Sequence, residues 1–316
     1  MGVDQPDDAD VPPDEHADHR DDQDANGGGR AARSGGAQAE TRFRQECYVD
    51  LRVAVSAERS VAARQTAAEE QAAAEKWDEK VEESRWMWTE YQRKWPPAEC
   101  APADRSDDDP GSWCGEGNRS LNRANNSRVE AECDRIADCE REKISPAMRA
   151  IESQDPDRHL IGFDHRLKGR DRLKEKVHDI SNEYGVSPEE AVSVVPDAIR
   201  YTFQYREARY TQGVWADIGR LKEQGFELHT LKNSWSHDQY KGINSQWIEP
   251  DTGQRLEVQF HTRISFEAKQ LTHRAYERLR THQADKFEQM VLEAFQKKVT
   301  AEVPVPPGAT DIPDYP

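Results

Sequence analysis

Leu256-Glu257-Val258-Gln259-Phe260-His261-Thr262 alternates apolar and polar side chains with a period of two, the pattern of a strand with one face in a core. Leu256, Val258 and Phe260 fall on one face, and Glu257, Gln259 and His261 on the other. Three polar residues in a row on one face either meet solvent or line a site. Pro196-Asp197-Ala198-Ile199-Arg200-Tyr201-Thr202-Phe203 reads as a second strand, an apolar run opened by an acid. Strand geometry places Arg200 on the face opposite Asp197, and an acid there is either a cap or a metal ligand.

Outward from these two runs, strand-like and helical patterns alternate after Asp157. Helices are expected from Asp171 to Tyr184, from Pro188, and before Gly225. Strands are expected at Asp197 to Tyr205, Phe226 to Lys232, Ile243 to Glu249 and Arg255 to Thr262. Helices from Ser265 to Arg280 and Ala284 to Val299 close an α+β domain over residues 156–300, a mixed sheet flanked by helices. Residues 301–316 hold five prolines and are expected to be an unstructured tail.

Residues 43–155 read as a helical region with a Pro/Asp-rich linker at 96–117. Trp77, Trp88, Tyr91 and Trp95 share one face of its first helix and are expected to pack on a neighbouring helix or to bind a partner. Val129, Ile136, Ile144 and Met148 are the apolar positions of a second helix from Ser120 to Ile151. Residues 1–42 read as a disordered acidic tail. The first forty hold eleven Asp or Glu against three Lys or Arg, a net −8 of the chain's formal −17. Such a segment cannot bury enough apolar surface to offset its ordering entropy. The acidity therefore belongs largely to the tail, and a local basic site remains compatible with it.

The mean hydropathy of −1.03 and the lack of a run of about 20 apolar residues argue against a membrane span. With no basic-then-apolar signal at the N-terminus, a cytoplasmic protein is expected. Cys47, Cys100, Cys114, Cys133 and Cys139 match no zinc spacing. They are either ordinary cytosolic thiols or include a Cys100–Cys114 bridge, which would imply export by a signal-independent route.

Four patches bear chemistry. His165 to Lys176 is a basic block, with Arg166 and Lys168 before a helix and Arg172 and Lys176 one turn apart on it. Cations beside a helix N-terminus suit a polyphosphate, although the same block can be a solvated face. The two strands supply Asp197 and Glu257, a carboxylate pair able to hold Mg2+ if the strands are neighbours. Tyr240-Lys241-Gly242-Ile243-Asn244 sets an aromatic ring beside a glycine turn, either to stack on a base or as an exposed aromatic.

In this order the patches resemble the synthetase domain of the RelA/SpoT family over about Leu160 to Arg280. Arg166, Lys168, Leu173 and Lys176 match its R-x-K-x-x-x-S-I-x-x-K block, with Arg172 at the Ser. Glu257, Val258, Gln259 and Thr262 match its E-[IV]-Q-[IL]-R-T strand, with Phe260 and His261 as changes. Tyr240 matches its G-Y-x-S-x-H turn, with Asn244 at the His; Glu267, His273 and Tyr276 are similar to its closing helix. The family's Asp precedes its strand Arg by five residues, whereas Asp197 precedes Arg200 by three. If the arginines correspond, the acid is displaced by about 7 Å along the strand.

The resemblance implies a nucleotidyltransferase-like fold and a nucleotide pyrophosphokinase that transfers pyrophosphate from ATP to a nucleotide 3′-hydroxyl. Arg166, Lys168, Arg172 and Lys176 would hold ATP; Asp197 and Glu257 would be catalytic and bind Mg2+. Tyr240, Asn244, Gln259, His261 and His273 would meet the acceptor, although His261 and His273 are equally readable as structural histidines. The acceptor is a guanosine or an adenosine nucleotide, or else the 3′ end of tRNA. Residues 43–150 show nothing like the family's hydrolase domain, so a toxin role is implied, with an antitoxin or delivery partner on the N-terminal helices. The rival is a non-catalytic nucleotide-binding protein on a degenerate synthetase fold.

Overall fold

Polar and apolar side chains sort onto opposite faces of a five-stranded sheet, as the period-two alternation demands. In the computed structural model residues 66–96, 110–280 and 284–316 are described, all belonging to the unit Arg64–Pro316. The acidic tail expected over 1–42, the start of the first helix, Cys47 and Cys100 lie outside the described residues.

A helix over 66–94 (α1) comes first, followed by a two-stranded hairpin of Trp113–Cys114 (β1) and Ser120–Leu121 (β2). Next is an almost unbroken helical run: Arg123–Cys139 (α2), a π-helical turn Glu140–Ile144, and Ser145–Glu152 (α3). Then follow Arg158–Ile161 (β3), Arg170–Tyr184 (α4), Pro188–Ser193 (α5), Arg200–Tyr205 (β4) and Tyr210–Glu223 (α6). The domain closes with Glu227–Asn233 (β5), Ile243–Glu249 (β6), Gln254–Thr262 (β7), Arg263–Arg280 (α7) and Lys286–Thr300 (α8).

The strand order is β3-β4-β7-β6-β5. Only β4 and β7 run parallel; every other pair is antiparallel. Tyr201, Phe203, Trp247, Leu256, Val258 and Phe260 are buried on the core face. Helix α6 packs on that face, where the Tyr210 hydroxyl donates to the Phe260 carbonyl at 2.9 Å. The other face carries Arg200, Thr202, Asn244, Gln246, Glu257 and Gln259, with α7 beside β7 and Lys176 of α4 reaching the turn before β4.

The sequence locates these elements well because their ends carry strong local signals. Ser187 and Glu190 form a reciprocal capping box at α5, and Gly185 ends α4 in the left-handed conformation. Val129, Ile136, Ile144 and Met148 are all buried, as their spacing predicts. The expected single second helix instead contains the π-turn, which adds a residue per turn and swings Glu140 inward. That carboxylate is buried beside Ser145, Tyr201 and Arg166.

The aromatic face of α1 packs on helices α7 and α8. Trp77 Nε1 donates to Glu267 at 2.7 Å, Tyr91 donates to Glu288 at 2.7 Å, and the Trp88 ring lies 5.6 Å from Phe295. Part of the expected linker, from Pro110, is the ordered hairpin, where Trp113 Nε1 donates to Asp171 at 2.9 Å.

The Pro-rich tail departs from expectation. Val303, Ala309 and Ile312 are buried, and Tyr315 exchanges two 2.9 Å backbone hydrogen bonds with Leu231 of β5. Asn233 Nδ2 also donates to the Ala309 and Ile312 carbonyls. Proline removes donors but leaves carbonyls and alternate N–H groups free, so the tail can still cover an exposed sheet edge.

Candidate active site

The parallel pairing of β4 with β7 sets Arg200 opposite Glu257 and Thr202 opposite Gln259. Arg200 Nε lies 2.6 Å from Glu257 Oε2, while Gln259 Nε2 donates to Glu257 Oε1 at 2.9 Å. Both oxygens of the carboxylate are thus held, and its direction is fixed.

Asp197 does not open the strand as expected. It sits in the 3-10 turn Pro196–Ala198 before β4, with φ −94° and ψ 18°. The turn ends before the extended Ile199, so Asp197 lies outside the strand's alternation and its carboxylate can reach the Arg200 side chain at the start of β4. Arg200 Nη2 is 3.0 Å from Asp197 Oδ2. The turn supplies a physical route for absorbing the shortened Asp-to-Arg spacing.

Asp197 also accepts from Lys176 at 2.5 Å and Lys168 at 2.9 Å. Burial pushes this carboxyl up, but Lys168 and Lys176 outweigh it and hold the pKa at about 2. Burial pushes the Lys168 ammonium down, partly countered by Asp197. Arg200 is held above its ordinary value because Glu257 and Asp197 outweigh its desolvation.

The basic block splits three ways. Lys168 and Lys176 face the site. Arg170 pairs with Glu130 and Asp134, and Lys174 with Glu130, so these two bind α4 to α2. Arg166 turns to the π-turn, 2.7 Å from Glu140 Oε1 and with its guanidinium 4.2 Å from the Phe163 ring centre. Arg172 is exposed and paired with Glu175 at 3.2 Å. The structure therefore brings Lys168, Lys176, Asp197, Arg200, Glu257 and Gln259 together; Arg166 and Arg172 hold other partners. Side-chain direction around a helix and a turn decided this, and the linear pattern of charges does not reveal it.

Beyond Gln259 stands a second wall. The Tyr240 hydroxyl donates to Asn244 Oδ1 at 2.8 Å and lies 2.9 Å from His261 Nε2. His261 Nδ1 is 2.9 Å from Ser265 Oγ. Burial, with Lys269 adding to it, drives the His261 pKa well down, so the ring is neutral. With the tyrosine proton given to Asn244, the network assigns Nε2–H as donor to Tyr240 and Nδ1 as acceptor from Ser265. His261 is fully buried with both nitrogens engaged, so it supports Tyr240 from behind. Gly242 allows this closeness, since a Cβ there would lie 2.6 Å from His261 Cε1, at φ +149°.

Two residues of this region went unread in the sequence. The sequence shows the face of Arg200 and its spacing from Asp197, but not that it links both carboxylates. Lys269 of α7 donates to Gln259 Oε1, and burial lowers its pKa to about 8. A lysine on an apolar-patterned helix gives no local signal; only the packing of α7 against β7 shows where it points. His273, one turn on, is exposed and 3.4 Å from Glu277. Tyr276 is exposed as well, and Glu267 is tied to Trp77.

Asp197 and Glu257 both reach one cation, the Arg200 guanidinium. Two converging carboxylates are the oxygen donors a hard divalent cation takes, but Arg200 stands between them here, so an ion bridging both would have to displace the guanidinium. Among the described residues no group of three or more His, Cys, Asp or Glu forms a metal cluster. A cation held here would take its other ligands from phosphate oxygens and water, the usual habit of Mg2+.

The chain is similar to solved alarmone synthetase structures. A GTP pyrophosphokinase family protein from Streptococcus pneumoniae aligns over 55% of this chain and 90% of its own, at 14% identity and a TM-score of 0.40. Small alarmone synthetase 1 from Bacillus subtilis aligns over 55% and 92%, at 10% identity and a TM-score of 0.39. The same synthetase bound to its product pppGpp aligns over 55% and 92%, at 9% identity and a TM-score of 0.37. No protein-family model and no curated protein matches the chain. Among the described residues no helix is long and apolar enough to cross a membrane.

Proposed function

We propose that this chain is a nucleotide pyrophosphokinase, transferring the β,γ-pyrophosphate of ATP to the 3′-hydroxyl of a guanosine or adenosine nucleotide. One observation carries the reading: Asp197 and Glu257 converge on Arg200, with Lys168 and Lys176 beside them. This is an ordered set of cations and carboxylates gathered at the interior strand pair β4–β7, with Lys168, Lys176 and Glu257 at positions that match the family's motifs and Asp197 two residues nearer its Arg. Lys168 and Lys176 hold the phosphate chain of ATP, exchanging their bonds to Asp197 for bonds to phosphate oxygens. Asp197 and Glu257 are the residues that would hold a Mg2+ ion, which when bound would supply charge neutralisation for the transferring phosphates.

Arg200 and Gln259 keep the Glu257 carboxylate aimed across the polar face. Glu257 takes the proton of the acceptor 3′-hydroxyl as that oxygen forms its bond to the β-phosphorus. The bond from the β-phosphorus to the α–β bridging oxygen breaks, and AMP leaves with that oxygen. Such a transfer needs positioning and charge neutralisation more than covalent help from the protein. The Tyr240 ring, fixed by Asn244 and His261, stacks on the acceptor base.

A second reading, a nucleotide-binding module without chemistry, draws on one fact: three cations already occupy the oxygens of Asp197. One assay separates the two. Purified protein is incubated with Mg2+, γ-32P-ATP and, separately, GDP, GTP, ADP, AMP or deacylated tRNA, with Glu257→Gln as control. Label on an acceptor, absent in the variant, supports the enzyme and names its substrate. ATP binding with no transfer to any acceptor would overturn it in favour of the binding module.

A further inference from the structure

The polar groups of the site form one row across the sheet: Lys168 and Lys176, then Asp197, Arg200, Glu257, Gln259 and Lys269. The two ends of the row are both cationic, but they are balanced differently. Lys168 and Lys176 share a carboxylate. Lys269 has only the neutral amide oxygen of Gln259 as a polar partner among the described residues, because Arg200 and Gln259 already hold both oxygens of Glu257. An ammonium offers three donors, and a half-buried one in no direct ion pair, with only the pull of nearby Glu257 against desolvation and Arg200, is costly to keep. That cost is recovered when an anion arrives.

The position narrows which anion. Lys269 Nζ lies 5.3 Å from the centre of the Phe266 ring, and Phe266 is 5.8 Å from His261, the ring that supports Tyr240. It also acts electrostatically on His261 and, one turn along α7, on His273. The lysine thus stands at the end of the row beside the Tyr240 wall, with Glu257 between it and the two lysines assigned to ATP.

We propose that Lys269 receives the 5′-phosphate group of the acceptor, so that the acceptor is selected as a nucleotide over a nucleoside. This rests on reading the cleft as a pyrophosphotransferase site. The carboxylate pair then separates two phosphate poles. ATP lies on Lys168 and Lys176, the acceptor phosphate on Lys269, and the 3′-hydroxyl falls between them near Glu257.

Binding tests this without relying on turnover. Isothermal titration with GDP, ADP, guanosine and adenosine is run on the full chain and on Lys269→Met and Lys269→Arg. The better-bound diphosphate is expected to lose about ten- to hundredfold in affinity in Lys269→Met, the worth of one charge-assisted hydrogen bond, and to recover most of it in Lys269→Arg. Nucleoside affinity should stay unchanged. Lys269→Gln, of similar reach, serves if the methionine variant does not fold. Equal weakening of diphosphate and nucleoside, or no weakening of either, would overturn the assignment. Label transfer from γ-32P-ATP in the same wild-type preparation keeps the two claims apart. Transfer with unchanged diphosphate binding in the variant would sink the role of Lys269 alone, whereas bound nucleotides without transfer would sink the enzymatic reading.

Discussion

Arg200 and Glu257 stand opposite each other across the one parallel strand pair, with Arg200 Nε 2.6 Å from Glu257 Oε2. Parallel pairing puts the same ends of both strands together, so the turn before β4, which carries Asp197, arrives at the same corner. One guanidinium then fixes both carboxylates.

Glu257→Gln keeps the shape of the side chain and removes its basicity. Transfer of label from ATP to acceptor is expected to fall by about 10²- to 10⁴-fold, the range for loss of a general base. ATP affinity measured without Mg2+ should change little, since Lys168 and Lys176 bind Asp197 instead. Single-turnover rates and equilibrium ATP binding on the same variant check both halves.

Asp197→Asn leaves Lys168, Lys176 and Arg200 with no shared counter-charge, and should destabilise the fold by about 3 kcal/mol in urea unfolding at pH 7. The wild type has a matching pH signature. With its folded pKa at about 2, below the unfolded value, Asp197 contributes stability above about pH 4 that is lost as pH falls toward 2. The variant should lack the part of the acid-induced loss that belongs to this group.

Gly242→Ala sets a methyl where His261 Cε1 would lie only 2.6 Å away, at a φ of +149° that side chains rarely adopt. Either the strand start or the His261 ring must move, and the Tyr240 hydroxyl loses its alignment. A lower melting temperature and weaker acceptor binding, with ATP binding intact, are the expected outcomes in thermal and calorimetric scans.

Lys269→Met should make the ligand-free protein more stable at pH 7, by about 2 kcal/mol, while weakening acceptor binding. The sign follows from the lowered pKa of about 8, caused by burial and by Arg200, with Glu257 opposing. At Lys269 the unfolded chain binds more protons than the folded one between about pH 8 and 10, so this group's contribution to stability rises with pH there. His261 and His273 are the other titratable groups whose charge Lys269 influences, and both are pushed low, so neither masks the trend. Buried tyrosines and Cys133, all held above their ordinary values, lower both profiles alike toward pH 10, so the difference in denaturant midpoint, wild type minus variant, should rise from pH 7 to 10.

Strand order aside, most of the sheet is legible in the sequence because each strand advertises its faces by alternation and its ends by turn residues. Ile243–Glu249 matches the expected strand, and Glu257 and Gln259 share the face assigned to them. What the sequence hides depends on geometry that one residue can change. The 3-10 turn at Pro196–Ala198 brings Asp197 to Arg200, against the alternation expected of a strand. The π-turn at Glu140–Ile144 draws Arg166 away from the basic block. Lys269 reaches the site only because α7 packs beside β7, a tertiary fact with no local signature. The tail after Val303 was hidden for a different reason: its prolines mark a lack of regular structure, which is compatible with a fixed place against β5.

The central claim concerns which bond of ATP breaks, and parallel reactions with α-32P-ATP and γ-32P-ATP address it directly. With the better acceptor of GDP and ADP, the account predicts γ-label on the acceptor and α-label in AMP, in equal amounts. The contradicting result is α-label on the acceptor with pyrophosphate released, which would make the chain a nucleotidyltransferase.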